Sequence, residues 1–485
     1  MIYDIHDLAE RKDLTIKVYE NRISVQYNSS HLTNDFLYFS QTDSGFKFSF
    51  DFFELCIYLK REGCILSPYT ESFCFFVEKG YEPFDSTIIR EVYKLPNLCE
   101  VIIQGNDFKY DIVDLGQATI KDEKSTINKA ICNSFDKCAK NIILFSGGFD
   151  STLLAKIAKD NGYDVELVNG AYSDNLSAND SIEKNFSNKI ADYLRLPYRV
   201  IKIEPKEFTR KDLYSIIESQ PNTAHYSFIY YAINKEISQE NVNIISGQQA
   251  DSILNYGSTS MIKLSGFHVQ GLGELCRRYL YMKGNLLHGL IFAIFNRLPF
   301  RLKQASLLVG YRKLPIIKKI SLYNSFADIY NLFLSKLNQP DVILNNNILF
   351  YSTSFLQGSD ASGILRIMKT QKHPLPFSDL DLVKYYAQKN NSLSDVFYPK
   401  RIIHEILKED KELYKILKSK PNIQNISYEI RFYQLAKTLN IETEYKEMAS
   451  QYSIEGEMSF NKFHLVYCLN KIFKSNEYKK ENIQY

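Results

Sequence analysis

Four apolar residues, Ile142-Ile143-Leu144-Phe145, stand between a helical stretch at 127–139 and another at 152–161, and a turn of small and polar residues follows them directly. A run that short, with no polar face, is a strand covered on both sides. That is the condition of a strand inside a parallel sheet flanked by helices. Two further runs repeat the pattern at 165–169 and 242–246, with helical periodicity at 181–194 and 226–237 between them. Alternation of buried strand and helix restricts this part of the chain to an α/β architecture with a parallel sheet.

The region before about residue 115 reads differently. Alternating segments at 23–27 and 46–50 predict half-buried strands, 52–59 a helix, Gly80-Tyr81-Glu82-Pro83 a turn, and 100–105 a strand ending in a hairpin. Beyond 320 the chain reads as mostly helical. A length of 485 residues exceeds one ordinary domain. We divide it into 1–118, 119–415 with a basic helical insert at 260–320, and a helical extension at 416–485.

The turn after the first buried strand is Ser146-Gly147-Gly148-Phe149-Asp150-Ser151-Thr152. Paired glycines let backbone amides approach an anion with no Cβ in the way, and the helix that follows points its positive end at the same place. Hydroxyls of Ser146, Ser151 and Thr152 add donors. Asp150 would repel a phosphate unless a cation bridges the two, so the loop implies Mg²⁺. No Gly-Lys-Ser/Thr closes it, which separates it from a Walker-type phosphate loop. A second small-residue turn with a carboxylate, Ser246-Gly247-Gln248-Gln249-Ala250-Asp251-Ser252, ends the strand at 242–246. It lies on the carboxyl edge of the sheet, where open α/β sheets bind ligands.

These residues carry a family resemblance. The first loop resembles the S-G-G-x-D-S loop of the N-type ATP pyrophosphatases, which bind ATP and release pyrophosphate. They adenylate a carboxylate or carbonyl oxygen, and a nitrogen or sulfur nucleophile then displaces AMP. The second loop narrows the resemblance to the asparagine synthetase family, whose synthetase domain carries S-G-E-G-A-D-E there. Pro221-Asn222-Thr223-Ala224-His225, then Pro374-Leu375-Pro376-Phe377-Ser378-Asp379 with Leu382-Val383, then Tyr398-Pro399-Lys400-Arg401 with Glu405, are similar to further stretches of that domain. Gly80-Tyr81 with Pro83, Thr87 and Lys94-Leu95-Pro96 is similar to the passage closing the family's glutaminase domain. The similarity runs over roughly 40–410.

The resemblance implies a mostly β, α+β remnant of an Ntn-type glutaminase fold, followed by a parallel-sheet PP-loop ATP pyrophosphatase domain with a helical C-terminal extension. It implies ATP and Mg²⁺ as cofactors. Ser146, Gly147, Gly148 and Ser151, with Thr152 beside them, match the pyrophosphate cradle. Asp150 and Asp251 match the metal-binding carboxylates, and Leu144 and Val168 the backbone positions that hold adenine. Ser246 and Gly247 match the turn facing the acyl-adenylate, and Lys400 the catalytic cation that neutralises departing pyrophosphate. Charge developing on phosphate oxygens is what such groups stabilise.

Two departures alter the expectation. Position 2 is Ile2 and the first cysteine is Cys56, so the nucleophilic cysteine of a glutaminase is missing; about 115 residues are also roughly half of what that domain needs. Gln248 stands where the family has glutamate and cannot accept a proton as a general base; Ser252 replaces the last acid, and His225 and His373 are candidate substitutes. The implied activity is ATP-dependent amide formation, asparagine synthetase-like, on a small-molecule or glycan carboxylate such as a uronic acid of a surface polysaccharide. Ammonia would come from solution or a separate glutaminase; otherwise the nucleophile is an amine. Competing expectations are a peptide or natural-product cyclase of the lasso-cyclase or β-lactam synthetase type and a non-catalytic nucleotide-binding partner protein. A tRNA-modifying pyrophosphatase fits less well, because no C-x-x-C occurs.

Charge and cysteine usage narrow the setting. A formal net charge of +3 favours no polyanionic partner, and no nucleic acid is expected. Between Arg277 and Lys319, however, lie ten lysines and arginines and no Asp or Glu, either a surface for an anionic partner or a solvated basic face. The eight cysteines lack metal-site spacing and read as free thiols. The N-terminus has no apolar signal core, and the longest apolar stretch, 286–295, falls far short of the ~20 residues of a membrane span. The expected compartment is the cytoplasm.

Overall fold

The computed structural model describes residues 2–478 except 9, 21, 28–35, 117–121, 173–177, 205–206, 220–226, 238–241, 255–327, 345, 355–373, 390–399 and 421–427. The basic insert, including 277–319, the 221–225 stretch with His225, His373 and the pair Tyr398-Pro399 therefore lie outside the described residues.

The N-terminal region holds two antiparallel sheets. One has the order β1-β2-β6-β7, built from Leu14–Val18, Ile23–Tyr27, Cys99–Gln104 and Asp107–Ile112. The other has the order β4-β3-β5, from Gly45–Ser49, Tyr38–Thr42 and Tyr93–Lys94. Successive side chains of a strand point to opposite faces, and β3 shows what this achieves. Phe39 meets Phe108 of β7 edge-on at 5.1 Å and joins the two sheets. Its neighbour Tyr38 turns the other way, onto Phe52 at 5.3 Å. Phe52 opens α1 (Phe52–Arg61), which Asp51 caps by accepting the Glu54 amide at 3.0 Å. The next helix, α2 (Thr70–Lys79), ends at Gly80 with φ +80°, the left-handed stop that glycine accepts without strain.

The parallel sheet has four strands in the order β10-β9-β8-β11, which are Tyr198–Ile203, Val165–Tyr172, Lys140–Leu144 and Val242–Ser246. Helix α3 (Glu123–Asn133) leads into it, and α4 (Phe149–Asp160), α5 (Ala178–Leu194), α6 (Arg210–Ser219) and α7 (Ser227–Ile237) fill the connections. Alternate strand residues face opposite layers. Ile143, Leu167 and Ile245 pack with Leu154 and Ala158 of α4 and Ile190 of α5, whereas Ile142, Val168 and Ile244 pack with Tyr230 and Ile233 of α7. Both faces are thus apolar, as the sequence requires. At Gly170 a Cβ would meet Ile229 of α7 at 2.5 Å, so glycine is what lets that helix lie on β9.

One continuous core joins the N-terminal sheets to the layer of α4 and α5. A second core joins α1 and α2 to three C-terminal helices, Tyr428–Leu439, Glu442–Gln451 and Phe460–Tyr478. Among the described residues no helix is long and apolar enough to cross a membrane, and six cysteines are free thiols.

Candidate active site

Strand β8 delivers the chain to the carboxyl edge of the sheet, where Ser146 begins the loop and Phe149 already belongs to α4. The two glycines do different things. Gly147 has φ +66°, and a Cβ there would lie 2.9 Å from Ser187 Oγ and 3.1 Å from Ser187 Cα on α5. Gly148 has φ −77°, an ordinary value, and serves as the N-cap of α4. The Gly148 amide donates to Ser146 Oγ at 3.3 Å, and Ser151 Oγ donates to the Gly148 carbonyl at 3.3 Å. Ser146 is exposed, whereas Thr152 is fully buried, and its Oγ1 has no hydrogen-bond partner among the described residues. The Thr152 hydroxyl, expected as a phosphate donor, therefore lies beneath the loop surface.

The second loop meets the first directly. A Cβ on Gly247 would lie 3.2 Å from Asp150 Cβ and 3.3 Å from the Ser151 amide nitrogen, tighter than an ordinary contact, so glycine eases this approach. Ser246 Oγ accepts the Gln248 amide at 3.2 Å, and the Gln248 side-chain amide donates to Tyr230 Oη at 3.2 Å. Gln249 takes a left-handed conformation at φ +74° and opens α8 (Ala250–Ile253), which carries Asp251 in its first turn. Strands β8 and β9 pair Leu144 with Val168, and the Val168 carbonyl accepts the Phe145 amide at 2.8 Å. The proposed adenine positions are thus side by side at the same sheet edge.

Lys400 arrives from the far end of the domain. Its Nζ donates to Asp150 Oδ2 at 2.7 Å and lies 2.6 Å from Asp251 Oδ1. Four elements build this corner of the domain. The 3₁₀ turn Pro376–Ser378 leads into α9 (Leu380–Gln388), capped by Asp379, whose Oδ1 accepts the Asp381 amide at 2.9 Å. Lys400, at φ +55°, is the N-cap of α10 (Arg401–Lys408), which buries Ile402, Ile403, Ile406 and Leu407, an apolar stripe at helical spacing. Glu123 on α3 fastens both helices: it accepts Tyr386 Oη at 2.7 Å and Lys389 Nζ at 2.8 Å from the α9 segment, and Arg401 Nη2 at 3.3 Å.

The carboxylates of Asp150 and Asp251, which converge on Lys400, are ligands of the kind a hard cation takes. Asp150 Oδ1 is buried with no hydrogen-bond partner among the described residues. Burial pushes the Asp150 carboxyl up from its ordinary range, Lys400 opposes that shift, and Asp251 adds to it. No group of three metal-ligating side chains occurs among the described residues. Mg²⁺ needs no such group, since it is held by one or two carboxylates plus waters and substrate phosphates.

Further residues reach the loop without having been marked by the sequence. Lys420 Nζ donates to the Ser146 carbonyl at 3.1 Å, a contact with no local sequence signal. Phe149 packs on His404 of α10 with ring centroids 4.4 Å apart. Tyr414, on α11 (Lys411–Lys418), lies with its hydroxyl 3.3 Å from His404 Nδ1. Burial, helped by Lys418, Lys408 and Lys400, lowers the His404 pKa to about 4. The folded protein therefore takes up this proton later than the unfolded chain as pH falls, and stability declines between about 6.5 and about 4. Thermal melts of His404→Gln should show a shallower loss over that interval than wild type; an unchanged slope would contradict a buried neutral imidazole.

Residues 140–227 match the family model described as queuosine biosynthesis protein QueC. No curated protein matches the chain. Among solved structures, the U34-tRNA thiolase NcsA of Methanococcus maripaludis aligns at 11% identity and a TM-score of 0.25, over 75% of this chain and 80% of its own. The NMN synthetase of Francisella tularensis aligns at 14% identity and 0.21, over 52% of this chain and 93% of that one. The NH3-dependent NAD synthetase of Campylobacter jejuni subsp. jejuni aligns at 16% and 0.22, over 45% and 98%. At these scores the structural likenesses add no weight to the site. The family match and the loop that opens it make 140–227 a PP-loop ATP pyrophosphatase-like domain, similar to QueC.

Proposed function

We propose that the chain is an asparagine synthetase-like amide ligase, which adenylates a carboxylate with ATP, releases pyrophosphate, and passes the acyl group to ammonia or an amine. The observation that carries this reading is the convergence of Asp150, Asp251 and Lys400 beside a glycine turn on the carboxyl edge of a parallel sheet. In this reading the loop amides and Ser146 and Ser151 hydroxyls bind the β- and γ-phosphates. Backbone groups near Leu144 and Val168 hold adenine, and Ser246 and Gly247 border the acyl-adenylate. Asp150 and Asp251 would hold Mg²⁺, which would draw charge from the phosphate oxygens when bound. Lys400 neutralises the pyrophosphate as it leaves.

The N-terminal antiparallel sheets, in this proposal, are a degenerate glutaminase-like domain that serves as a scaffold. The passage from Gly80 to Pro96, which carries that resemblance, is well ordered: Thr87 Oγ1 lies 2.8 Å from both the Ile89 and Val92 carbonyls, and Asp85 accepts Tyr110 Oη at 3.1 Å and Lys336 Nζ at 2.7 Å. Ammonia then comes from solution or a separate glutaminase, in the cytoplasm. A uronic acid is the proposed acid, with 277–319 as a contact for an anionic glycan carrier. Gln248, where the family has glutamate, favours a second reading, a cyclase in which the substrate's own amine attacks; with either nucleophile the released proton must go to another group, because an amide held by Tyr230 cannot accept it.

Pyrophosphate release, screened against amino acids, nucleotide-linked uronic acids and peptides with and without ammonium, separates these readings. Ammonium-dependent amide product with a uronic acid is the expected result. Release without ammonium, with loss of water from a peptide, establishes the cyclase. ATP binding with no release on any acid would leave only a non-catalytic nucleotide-binding protein.

A further inference from the structure

The ammonium of Lys400 occupies the position between Asp150 Oδ2 and Asp251 Oδ1, at 2.7 and 2.6 Å. A divalent cation shared by those two oxygens needs the same position. We infer that Lys400 keeps the carboxylate pair closed to free Mg²⁺, so that metal enters only together with nucleotide phosphates, which draw the ammonium away. The inference rests on the reading of the site as an ATP–Mg²⁺ site and adds an order of events to it.

Three features of the molecule support an exchange of this kind. Mg²⁺ binds carboxylate oxygens at about 2.0–2.1 Å and sheds water reluctantly, so it cannot share both oxygens with an ammonium already in contact with them. The Lys400 side chain is only 10% exposed; displaced with no new partner, it would be a buried, unpaired cation, which is strongly unfavourable. A polyphosphate tail in the neighbouring loop supplies that partner. The backbone of Lys400 is fixed as the cap of α10, with Arg401 tied to Glu123, so the exchange falls to the flexible four-carbon side chain. Asp150 Oδ1, buried without a hydrogen-bond partner among the described residues, is a further oxygen for the incoming cation. Metal and nucleotide consequently favour each other's binding, and part of that coupling passes through Lys400.

Mn²⁺ alone is the probe, with its unbound fraction read by electron paramagnetic resonance as protein is added. Wild type should take up Mn²⁺ weakly, and Lys400→Met and Lys400→Gln about tenfold or more tightly, within the usual range of site coupling. Adding Asp251→Asn to Lys400→Met should cancel the gain, which assigns it to the carboxylate pair. Wild-type protein that binds Mn²⁺ as tightly as the variants overturns the inference. So does wild-type protein that binds free Mn²⁺ below about 100 μM, a comparison that stands even if neither variant folds. Binding of a fluorescent ATP analogue to wild type, with and without Mn²⁺, tests the parent reading separately. If metal strengthens analogue binding while Lys400 variants gain no Mn²⁺ affinity, the order of events falls and the ATP site survives. If the analogue never binds, both fall.

Discussion

Asp150→Asn should slow pyrophosphate release by about 10²–10³-fold, a loss of roughly 3–4 kcal/mol of transition-state stabilisation, while the unfolding temperature stays within a few degrees of wild type. The substitution keeps shape and volume and removes one of the two carboxylates that converge on Lys400. Its structural cost is limited, because burial already disfavours the charged form of Asp150, an effect that Lys400 opposes and Asp251 adds to. Lys400 keeps Asp251 as a partner. Asp251→Asn should behave in the same way, although its side chain is 52% exposed. Release that survives either change would remove the metal assignment, and a large drop in melting temperature would show the pair to be structural.

Gly147→Val should cost roughly 2–5 kcal/mol of stability and abolish measurable nucleotide binding. The left-handed backbone alone costs an L-residue about 1–2 kcal/mol, and forcing a side chain into a filled space adds about 1–3. Here the added Cβ would meet not only the movable Ser187 Oγ at 2.9 Å but also the Ser187 Cα of α5 at 3.1 Å. Loop and helix must therefore part. Gly148→Ala is the internal control: φ is −77°, and the nearest atom to a new Cβ is Ser146 Oγ at 3.3 Å. Denaturant melts and analogue titration of the two variants should diverge sharply. Equal behaviour would mean that the turn is not held as described.

The parallel sheet was legible because its inner strands are short and apolar on both faces. The runs at 142–145, 165–169 and 242–246 correspond to β8, β9 and β11. Strand β10 escaped notice because it lies at the edge of the sheet, and Arg199 and Lys202, on opposite faces, break up its apolar run; the 2.9 Å pair from Arg199 to Glu166 that justifies one of them is tertiary. Helix α3 stops at Asn133, six residues before its apparent periodicity at 139 runs out. Buried Asn141 explains this: its Nδ2 lies 2.8, 3.1 and 3.0 Å from the Asp136, Ala139 and Asp164 carbonyls, which share its two hydrogens and pin the connection as a loop. Residue types at the site could be read, and the resemblance placed Lys400 among them. Its convergence with Asp150, 250 positions away, is a property of the fold. Glu123, His404 and Lys420 carried no local pattern at all, since each acts through a partner brought in by packing.

The core shared by α1, α2 and the helices from 428 on ties together segments made far apart in time. Lys60 on α1 donates to the Ile472 carbonyl at 2.9 Å across 412 positions, and the helix that closes the N-terminal layer is Phe460–Tyr478. An earlier segment is thus completed by one made some 412 residues later. Until that later helix emerges from the ribosome, the outer face of α1 and α2 has no native cover, and pairing so distant in sequence is slow to form. Nascent chains should need protection during synthesis, and fragments that end before Phe460–Tyr478 should be prone to clump.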